Sequence, residues 1–222
     1  MEDHARPDPA PPGIDLVEEL QSLSRGEAAL FSTACATRVG PIFVVFGGRT
    51  AGDRFRQWAA ELWALVDTPD LDAARGLAAQ IRGAPEAVTD DSNRPEFYAM
   101  RALSALDYAV RVLVDPDHLK PAIWCSRASI ALMRDLDYDR GITPGSPDSM
   151  EAVERDAQKL WIERLHSGSD LPPDAPQTLD LVGVVSRGSL EVVDGTVEAE
   201  RYAAIEDLYG AEASEMILSD PT

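Results

Sequence analysis

The chain has 222 residues, of which 45% are hydrophobic and 27% are charged, and a chain of this length and composition forms one globular domain, or one domain with an appendage. It is large enough to bury a core that needs no disulfides or structural metals. The 39 acidic and 20 basic residues give a formal net charge of −19, which argues against binding to nucleic acid or to an anionic membrane, because both require clustered lysine and arginine.

The N-terminal residues 1–13 mix proline, alanine and charged residues without a hydrophobic period, so we predict a disordered Pro-rich tail. They lack the charged region followed by an apolar core that marks a signal peptide. The most apolar window, residues 28–48, contains an arginine and a Gly-Pro pair and therefore does not predict a membrane-spanning helix. We expect a cytoplasmic protein with no membrane contact.

Apolar residues at helical spacing predict a bundle domain over residues 14–167. The first two helices are expected at 14–23 and 26–39, with the second ending at Gly40-Pro41, because proline interrupts the backbone hydrogen bonds of a helix. The apolar run 42–46 fits either a buried strand or a buried helical turn. We favour a helix, because no second strand nearby could pair with it, and we expect Gly47-Gly48 to close the run.

Two further helices are predicted before the middle of the chain. Residues 50–66 carry a continuous apolar face that includes two tryptophans. Thr68-Pro69-Asp70 then has the pattern of a helix start, with Thr68 as the N-cap and Asp70 near the positive end of the helix. This helix is expected to reach Ile81, where Gly83 and Pro85 follow, and its inward positions are Leu71, Ala74, Leu77, Ala78 and Ile81.

Residues 95–139 are expected to form the central element, an antiparallel helical hairpin with its break at Asp115-Pro116-Asp117. A last helix is expected to begin at Ser146-Pro147, with its buried stripe at Met150, Val153, Ala157, Leu160, Trp161 and Leu165. Residues 168–222 read as a linker plus a C-terminal appendage, in which β-branched runs over 179–193 could form a small hairpin. The predicted fold class is an all-α antiparallel multi-helix bundle with a small β-hairpin or irregular C-terminal appendage.

One segment resembles a known bacterial signature: an apolar helix with a central cysteine that stops at a proline, running from Phe31 through Cys35 and Arg38 to Pro41. It is similar to the YjaG-like family, catalogued as domain of unknown function number 416, and the resemblance covers roughly residues 16–166. Pro41-Ile42-Phe43 replaces the family's usual Pro-Asn-Tyr, and residues from 171 onward have no counterpart. The resemblance implies an all-α bundle and no activity, because none is established for that family. Further positions that match are Trp58, Trp63, Asp90, Asp91 and Trp161.

The residue types that carry chemistry are scattered along the sequence. The three histidines, His4, His118 and His166, have no second ligand at metal-binding spacing, so we expect no metal and no cofactor. The only cysteines, Cys35 and Cys125, lie in apolar helical contexts and are expected to be buried free thiols. The acidic run 135–139 lacks the glycine and the distal glutamate of a calcium loop, so a solvated acidic edge is the favoured interpretation.

The favoured function is a non-enzymatic interaction protein whose acidic surface binds a basic partner, as an inhibitor or immunity protein binds a toxin. The alternative is an enzyme with a pocket between helices, built from residues that are distant in sequence. The predicted partner-binding residues are Asp90, Asp91, Asp135, Asp137, Asp139, Glu151 and Glu154.

Overall fold

The computed structural model describes residues 16–87, 96–139, 141–143, 145–147 and 149–167. All regular secondary structure in these ranges is helical, and the predicted all-α bundle is confirmed. No helix among these residues is both long enough and apolar enough to cross a membrane. The tail predicted at 1–13 and the hairpin and appendage predicted in 168–222 lie outside the described residues. The helices are α1 (Val17–Leu20), α2 (Arg25–Asp67), α3 (Leu71–Arg82), α4 (Glu96–Val114), α5 (Leu119–Asp139) and α6 (Met150–Ser167), with a 3₁₀ turn at Pro85–Ala87.

The long helix α2 replaces three elements that the sequence predicts separately. The expected end at Gly40-Pro41 is wrong, because helical backbone continues through it, and the helix as assigned also includes Gly47-Gly48, where the sequence predicts the run 42–46 to close. The helical interpretation of residues 42–46 is correct, and Ile42, Phe43 and Phe46 are buried. A proline inside a helix costs about 3 kcal/mol, and burial of these three large side chains offsets it.

Helix α2 doubles back on itself. A straight helix rises about 1.5 Å per residue, which would place residues 26 apart roughly 39 Å from each other. The indole nitrogen of Trp63 nevertheless donates to Thr37 Oγ1 at 3.1 Å, and the rings of Phe43 and Phe55 stack with centroids 5.0 Å apart. The chain therefore reverses between Phe43 and Phe55, and the two arms of α2 pack together.

Gly40 of one arm of α2 packs directly against Phe55 of the other. A Cβ atom at this position would lie 2.8 Å from Cε1 of Phe55, a distance that no alanine could accept without a shift of the ring. The sequence predicts a helix stop at Gly40, whereas in the structure the absence of a side chain at Gly40 lets the ring of Phe55 approach the backbone.

Side chains cap the helix starts. Ser24 accepts from the backbone N–H of Glu27, whose carboxylate accepts from the backbone N–H of Ser24 at 2.8 Å, which makes a reciprocal capping box. Asp70, rather than Thr68, is the N-cap of α3: its carboxylate accepts from the N–H groups of Asp72 and Ala73 at 2.9 and 3.0 Å. Consequently Leu71 is the first residue of α3, and its side chain is 46% exposed instead of buried.

Helix α4 lies at the centre of the bundle, packed against α2, α3 and α5. The predicted central hairpin is present, because α4 ends at Val114, α5 begins at Leu119 and the two helices contact each other. Arg25 fixes the end of α4, donating to the backbone carbonyls of Val112 and Asp115, both at 2.8 Å. These carbonyls have no partner within the helix, so the guanidinium supplies the hydrogen bonds that the last turn lacks.

Helix α6 begins and faces differently from the prediction. It begins at Met150, and Ser149, not Ser146, caps it, with Ser149 Oγ accepting from the N–H of Ala152 at 3.1 Å. Val153 and Leu160, which were predicted to be inward, are 39% and 46% exposed. The helix is rotated so that its buried side is Met150, Glu151, Glu154, Gln158, Trp161, Ile162 and Leu165.

Candidate functional site

The predicted partner-binding residues do not form one exposed acidic surface. Asp90 and Asp91 lie outside the described residues. Asp139 is the last residue of α5, and its side chain also lies outside the described part of the chain. Asp135 is half-buried on α5 and pairs with Arg101 at 3.2 Å. Burial raises the pKa of Asp135, and Arg101 and Arg134 oppose that rise.

Asp137 is an internal cap and not a surface acid. Its side chain is fully buried, and its two carboxylate oxygens accept from the backbone N–H groups of Met150 and Glu151 at 2.9 and 2.8 Å. A carboxylate at the start of a helix satisfies donors that have no intrahelical partner and also interacts favourably with the helix dipole. Asp137 therefore holds α6 to the end of α5, and its interpretation as a solvated residue is wrong.

Glu154 is also buried, where it forms an ion pair that crosses the bundle from α6 to α2. Its side chain is 3% exposed and that of Arg38 is 4% exposed. Arg38 donates from Nε and Nη2 to the two carboxylate oxygens, both at 2.9 Å, which is a bidentate pair. Burial, the largest single influence, would lower the pKa of Arg38, but the charge of Glu154 and the contacts with Glu154 and Cys35 together outweigh it, so the pKa lies above its ordinary value. The expectation that Glu154 lies on an exposed acidic face is wrong.

The ion pair extends into a polar network with α5. The amide nitrogen of Gln158 donates to Glu154 Oε1 at 2.8 Å and to the Ser126 carbonyl at 3.2 Å. The hydroxyl of Ser126 in turn donates to Gln158 Oε1 at 2.6 Å. Glu151, also predicted as an exposed contact, is 6% exposed and bonded to Arg155 at 2.7 Å. The sequence suggests that these acids are available to a partner. In the structure, Glu154 instead takes part in the contacts that join α2, α5 and α6.

The two cysteines meet beside this network as free, buried thiols, as the sequence predicts. Arg38 Nη2 donates to Cys35 Sγ at 3.3 Å, and Cys125 Sγ donates to the carbonyls of Ala105 and Ser32 at 3.3 and 3.4 Å. Burial, and then the neighbouring Cys35, raise the pKa of Cys125 well above its ordinary value. A thiol that stays protonated and inaccessible is a poor nucleophile, so the pair belongs to the core.

A surface cleft between α3 and α4 brings polar and apolar side chains together. Its volume is about 270 Å³. Buried Leu103 and Ile81 contribute apolar surface, whereas Asp107 and two arginines contribute charge. Ser104, Asp107 and Arg111 fall at helical spacing on the polar side of α4 in the sequence, and that spacing does not indicate a site. The lining residues are Ile81, Arg82, Ala87, Met100, Leu103, Ser104, Asp107, Tyr108 and Arg111.

Asp107 is the perturbed ionisable group of this cleft. Its side chain is 15% exposed, and its closest approach to Arg82 is 3.6 Å, from Oδ1 to Nε. That nitrogen donates instead to the Ala78 carbonyl at 3.0 Å. Oδ1 therefore has no hydrogen-bond donor among the described residues. Burial raises the pKa of Asp107, and Arg82 and Arg111 oppose the rise without cancelling it.

Arg111 of the cleft is fixed by contacts with Asp115 and Trp124. Arg111 donates from Nε and Nη2 to Asp115 at 3.1 and 2.9 Å, and its guanidinium lies over the ring of Trp124 at 5.4 Å. Arg82 is different, since its side chain is 63% exposed. The cleft thus contains two arginines, Arg111 fixed and Arg82 exposed, and the incompletely hydrogen-bonded carboxylate of Asp107. Buried apolar side chains lie beneath them.

The described histidines make single polar contacts. His166 shares a hydrogen bond with Ser22 at 2.6 Å, and His118 Nε2 donates to the Leu23 carbonyl at 3.4 Å. Within the described ranges, no group of three or more histidine, cysteine, aspartate or glutamate residues is placed to hold a metal ion.

The chain matches no protein-family model, no curated protein and no solved structure. The resemblance to the YjaG-like family stays a prediction.

Proposed function

We propose that this is a non-enzymatic, cytoplasmic interaction protein that binds a basic protein partner through acidic segments other than the described helices. The observation that carries the proposal is the distribution of charge. The described residues contain 20 acidic and 15 basic side chains, an excess of 5, and the other residues contain 19 acidic and 5 basic side chains, an excess of 14. Residues 168–222 alone contain 12 acidic and 2 basic side chains.

Pairing within the bundle supports this assignment. Several acids of the helices already have an arginine partner, so that a docking protein would have to break existing contacts to use them. Exposed examples are Asp53 with Arg56 and Asp72 with Arg75. Asp90, Asp91, Asp135 and Asp139 stay predicted contacts, although Asp135 also pairs with Arg101. Asp137, Glu151 and Glu154 do not, because they are buried.

A dense acidic segment acts chiefly on association. Its field accelerates encounter with a basic protein by about 10- to 1,000-fold and is screened by salt, with a Debye length of about 8 Å at physiological ionic strength. A basic toxin is one class of partner that fits. In that case binding alone would be the function, because covering the active surface of the toxin inhibits it.

The test is recovery of a partner at low salt, followed by stopped-flow binding with the purified pair. We expect a basic partner and an association rate that falls steeply with added salt. Replacing the 12 acids of residues 168–222 by Asn and Gln in the 222-residue chain should reduce that rate by at least about tenfold. The control, Asp53→Asn with Asp72→Asn, removes exposed but paired acids and should change the rate little. Binding that is indifferent to salt and to the C-terminal replacements would refute the proposal.

The alternative is an enzyme with an inter-helix pocket, and the α3–α4 cleft is the observation that favours it. A half-buried carboxylate with a raised pKa in a cleft is a common arrangement for a general acid or base. The described lining includes no histidine, cysteine or lysine, so Asp107 would have to serve as the acid or base. The Ser104 hydroxyl is already engaged, because it donates to the Met100 carbonyl at 2.9 Å. This is why the interaction protein is the preferred proposal.

A further inference from the structure

Three of the four large apolar side chains that are exposed in the described residues lie on or beside α6. They are Tyr138, Val153 and Leu160, and the fourth is Leu71 on α3. Val153 and Leu160 are seven residues apart, so they lie on one side of α6, about 10.5 Å from each other along its axis. Tyr138 directly follows Asp137, whose carboxylate caps the start of α6. This side of α6 would gain free energy if another element covered it.

The charges on this side of α6 differ from those of the bundle as a whole. Helix α6 packs against α5 and α2, and its outer face consists of the exposed residues between 153 and 164, which are Val153, Asp156, Lys159, Leu160, Glu163 and Arg164. The two acids and two bases of the outer face cancel, whereas the described residues together have an acidic excess of 5. Lys159 and Arg164 form no salt bridge with any described residue.

The sequence after α6 contains a segment with a complementary apolar pattern. Tyr202, Ile205, Leu208 and Tyr209 recur at helical spacing and would share one side of a helix. Gly210, which follows them, is typical of a helix end. Tyr202 and Tyr209 are seven residues apart, the same separation as that of the two apolar residues on the outer face of α6. A helix formed by this segment could therefore cover both of them at once.

Charge favours the outer face of α6 over the rest of the bundle surface. Residues 198–209 contain four acids and one arginine, which gives a net charge of −3. The acidic excess of the bundle opposes contact with such a segment. The outer face is neutral and carries Lys159 and Arg164, so it is the surface on which an acidic, apolar segment meets the least repulsion.

The length of the connection permits this contact. Leu160 precedes Ser167, the last residue of α6, by seven residues, or about 10.5 Å. Thirty-four residues separate Ser167 from Tyr202, and a chain of that length spans up to roughly 110 Å when extended. A contact within one chain forms at an effective concentration that can reach about the millimolar range. Two apolar anchors can therefore suffice within the chain where they would not hold a second copy.

We propose that residues 202–209 dock on the outer face of α6 as an additional amphipathic helix of the same chain. The apolar side chains of the segment cover Val153 and Leu160, and its acids lie beside Lys159 and Arg164. This contact does not rest on the proposed function, because it forms whether or not a basic partner exists.

The first test changes the outer face and measures hydrogen exchange by mass spectrometry in the 222-residue chain. The amides of residues 202–209 should exchange at least about tenfold more slowly than those of an unstructured chain. Leu160→Gln removes an apolar contact and should abolish most of this protection. Leu71→Gln is the matched control, because Leu71 on α3 is exposed to the same extent, 46%, and it should leave the protection unchanged. Unprotected amides at 202–209 in the unmodified protein, or equal effects of the two substitutions, would overturn the proposal.

The second test joins the two surfaces directly. In a chain with Leu160→Cys and Ile205→Cys, a short bismaleimide should link the two positions within one molecule of 24.0 kDa. The native Cys35 and Cys125 are buried and should not react. Leu71→Cys with Ile205→Cys is the control and should give at least about tenfold less of the internal link. A product of twice the mass would assign the outer face to a second copy and overturn the proposal, as would equal linking in the two variants.

Discussion

The buried pair of Arg38 and Glu154 offers the sharpest test of how the bundle is held together. We consider Arg38→Met, Glu154→Leu and the double variant, which replace the charges by apolar side chains of comparable length. Both native side chains are under 5% exposed, and the two hydrogen bonds between them are 2.9 Å long. Each single variant therefore leaves one charge in the interior without its partner.

The expected magnitudes follow from that burial. Removal of one member of a buried pair costs about 3–5 kcal/mol, a large part of the roughly 5–15 kcal/mol by which a folded domain is stable. If the effects were additive, the double variant would lose about 6–10 kcal/mol, the sum of two such losses. The double variant instead has no unpaired charge. Its remaining defect is Gln158, which loses the acceptor at 2.8 Å and costs about 1–3 kcal/mol.

Urea denaturation followed by far-UV circular dichroism measures the free energy of unfolding of all four proteins. We expect the double variant to be more stable than either single variant. The reasoning is refuted if the single variants lose less than about 1 kcal/mol, which would mean that water reaches the charges, or if the double variant loses the sum of the two.

Three further predictions follow from single contacts. Gly40→Ala should destabilise the protein by about 1–3 kcal/mol, because the new Cβ would lie 2.8 Å from Phe55. Gly76→Ala should instead stabilise α3 by about 0.5–1 kcal/mol, because the new Cβ would meet nothing within 4 Å. Thermal melts compare the two variants. Asp137→Ala leaves two buried N–H groups of α6 without acceptors, so it should cost about 2 kcal/mol or more and increase hydrogen exchange first in α6. Asp107→Asn should stabilise the protein at neutral pH, because the pKa of Asp107 is raised in the folded state and its ionised form therefore opposes folding. Urea denaturation should show that this gain in the free energy of unfolding disappears as the pH falls below the pKa of Asp107 in the unfolded chain.

The helical fold can be predicted from the sequence because apolar spacing specifies it locally. Leu103, Leu106 and Val110 recur at helical spacing in the sequence, and their side chains are buried. Gly83 follows the last residue of α3 as expected. The reversal inside α2 cannot be predicted in this way. Gly40-Pro41 has the local pattern of a stop, and only the packing of Phe43 on Phe55 shows that the chain continues as helix and folds back.

The cleft was missed for a similar reason. Arg101, Ser104, Asp107 and Arg111 occupy the polar side of α4, and a polar side is ordinarily a solvated one. Helix α3 packs against α4, and that contact turns part of the polar side into the wall of a cleft. Nothing in the spacing of residues 96–114 indicates which helix covers them.

Polarity in the sequence does not by itself indicate exposure, and for this reason three of the predicted acidic contacts are wrong. Position in the bundle decides exposure instead, and an acid can be buried where a neighbouring helix supplies a partner. Arg38 could have given a signal, because it shares a helix face with buried Cys35 and Ile42 and an arginine in such a place requires an internal acid. The sequence does not say that this acid is Glu154, which is 116 residues away. Once Glu154, Glu151 and Asp137 are assigned to the interior, they cannot supply the field that attracts a partner. The acidic excess available for that purpose then lies mainly in residues 168–222, and for this reason the C-terminal replacements, and not changes on α6, are the decisive test of the proposed function.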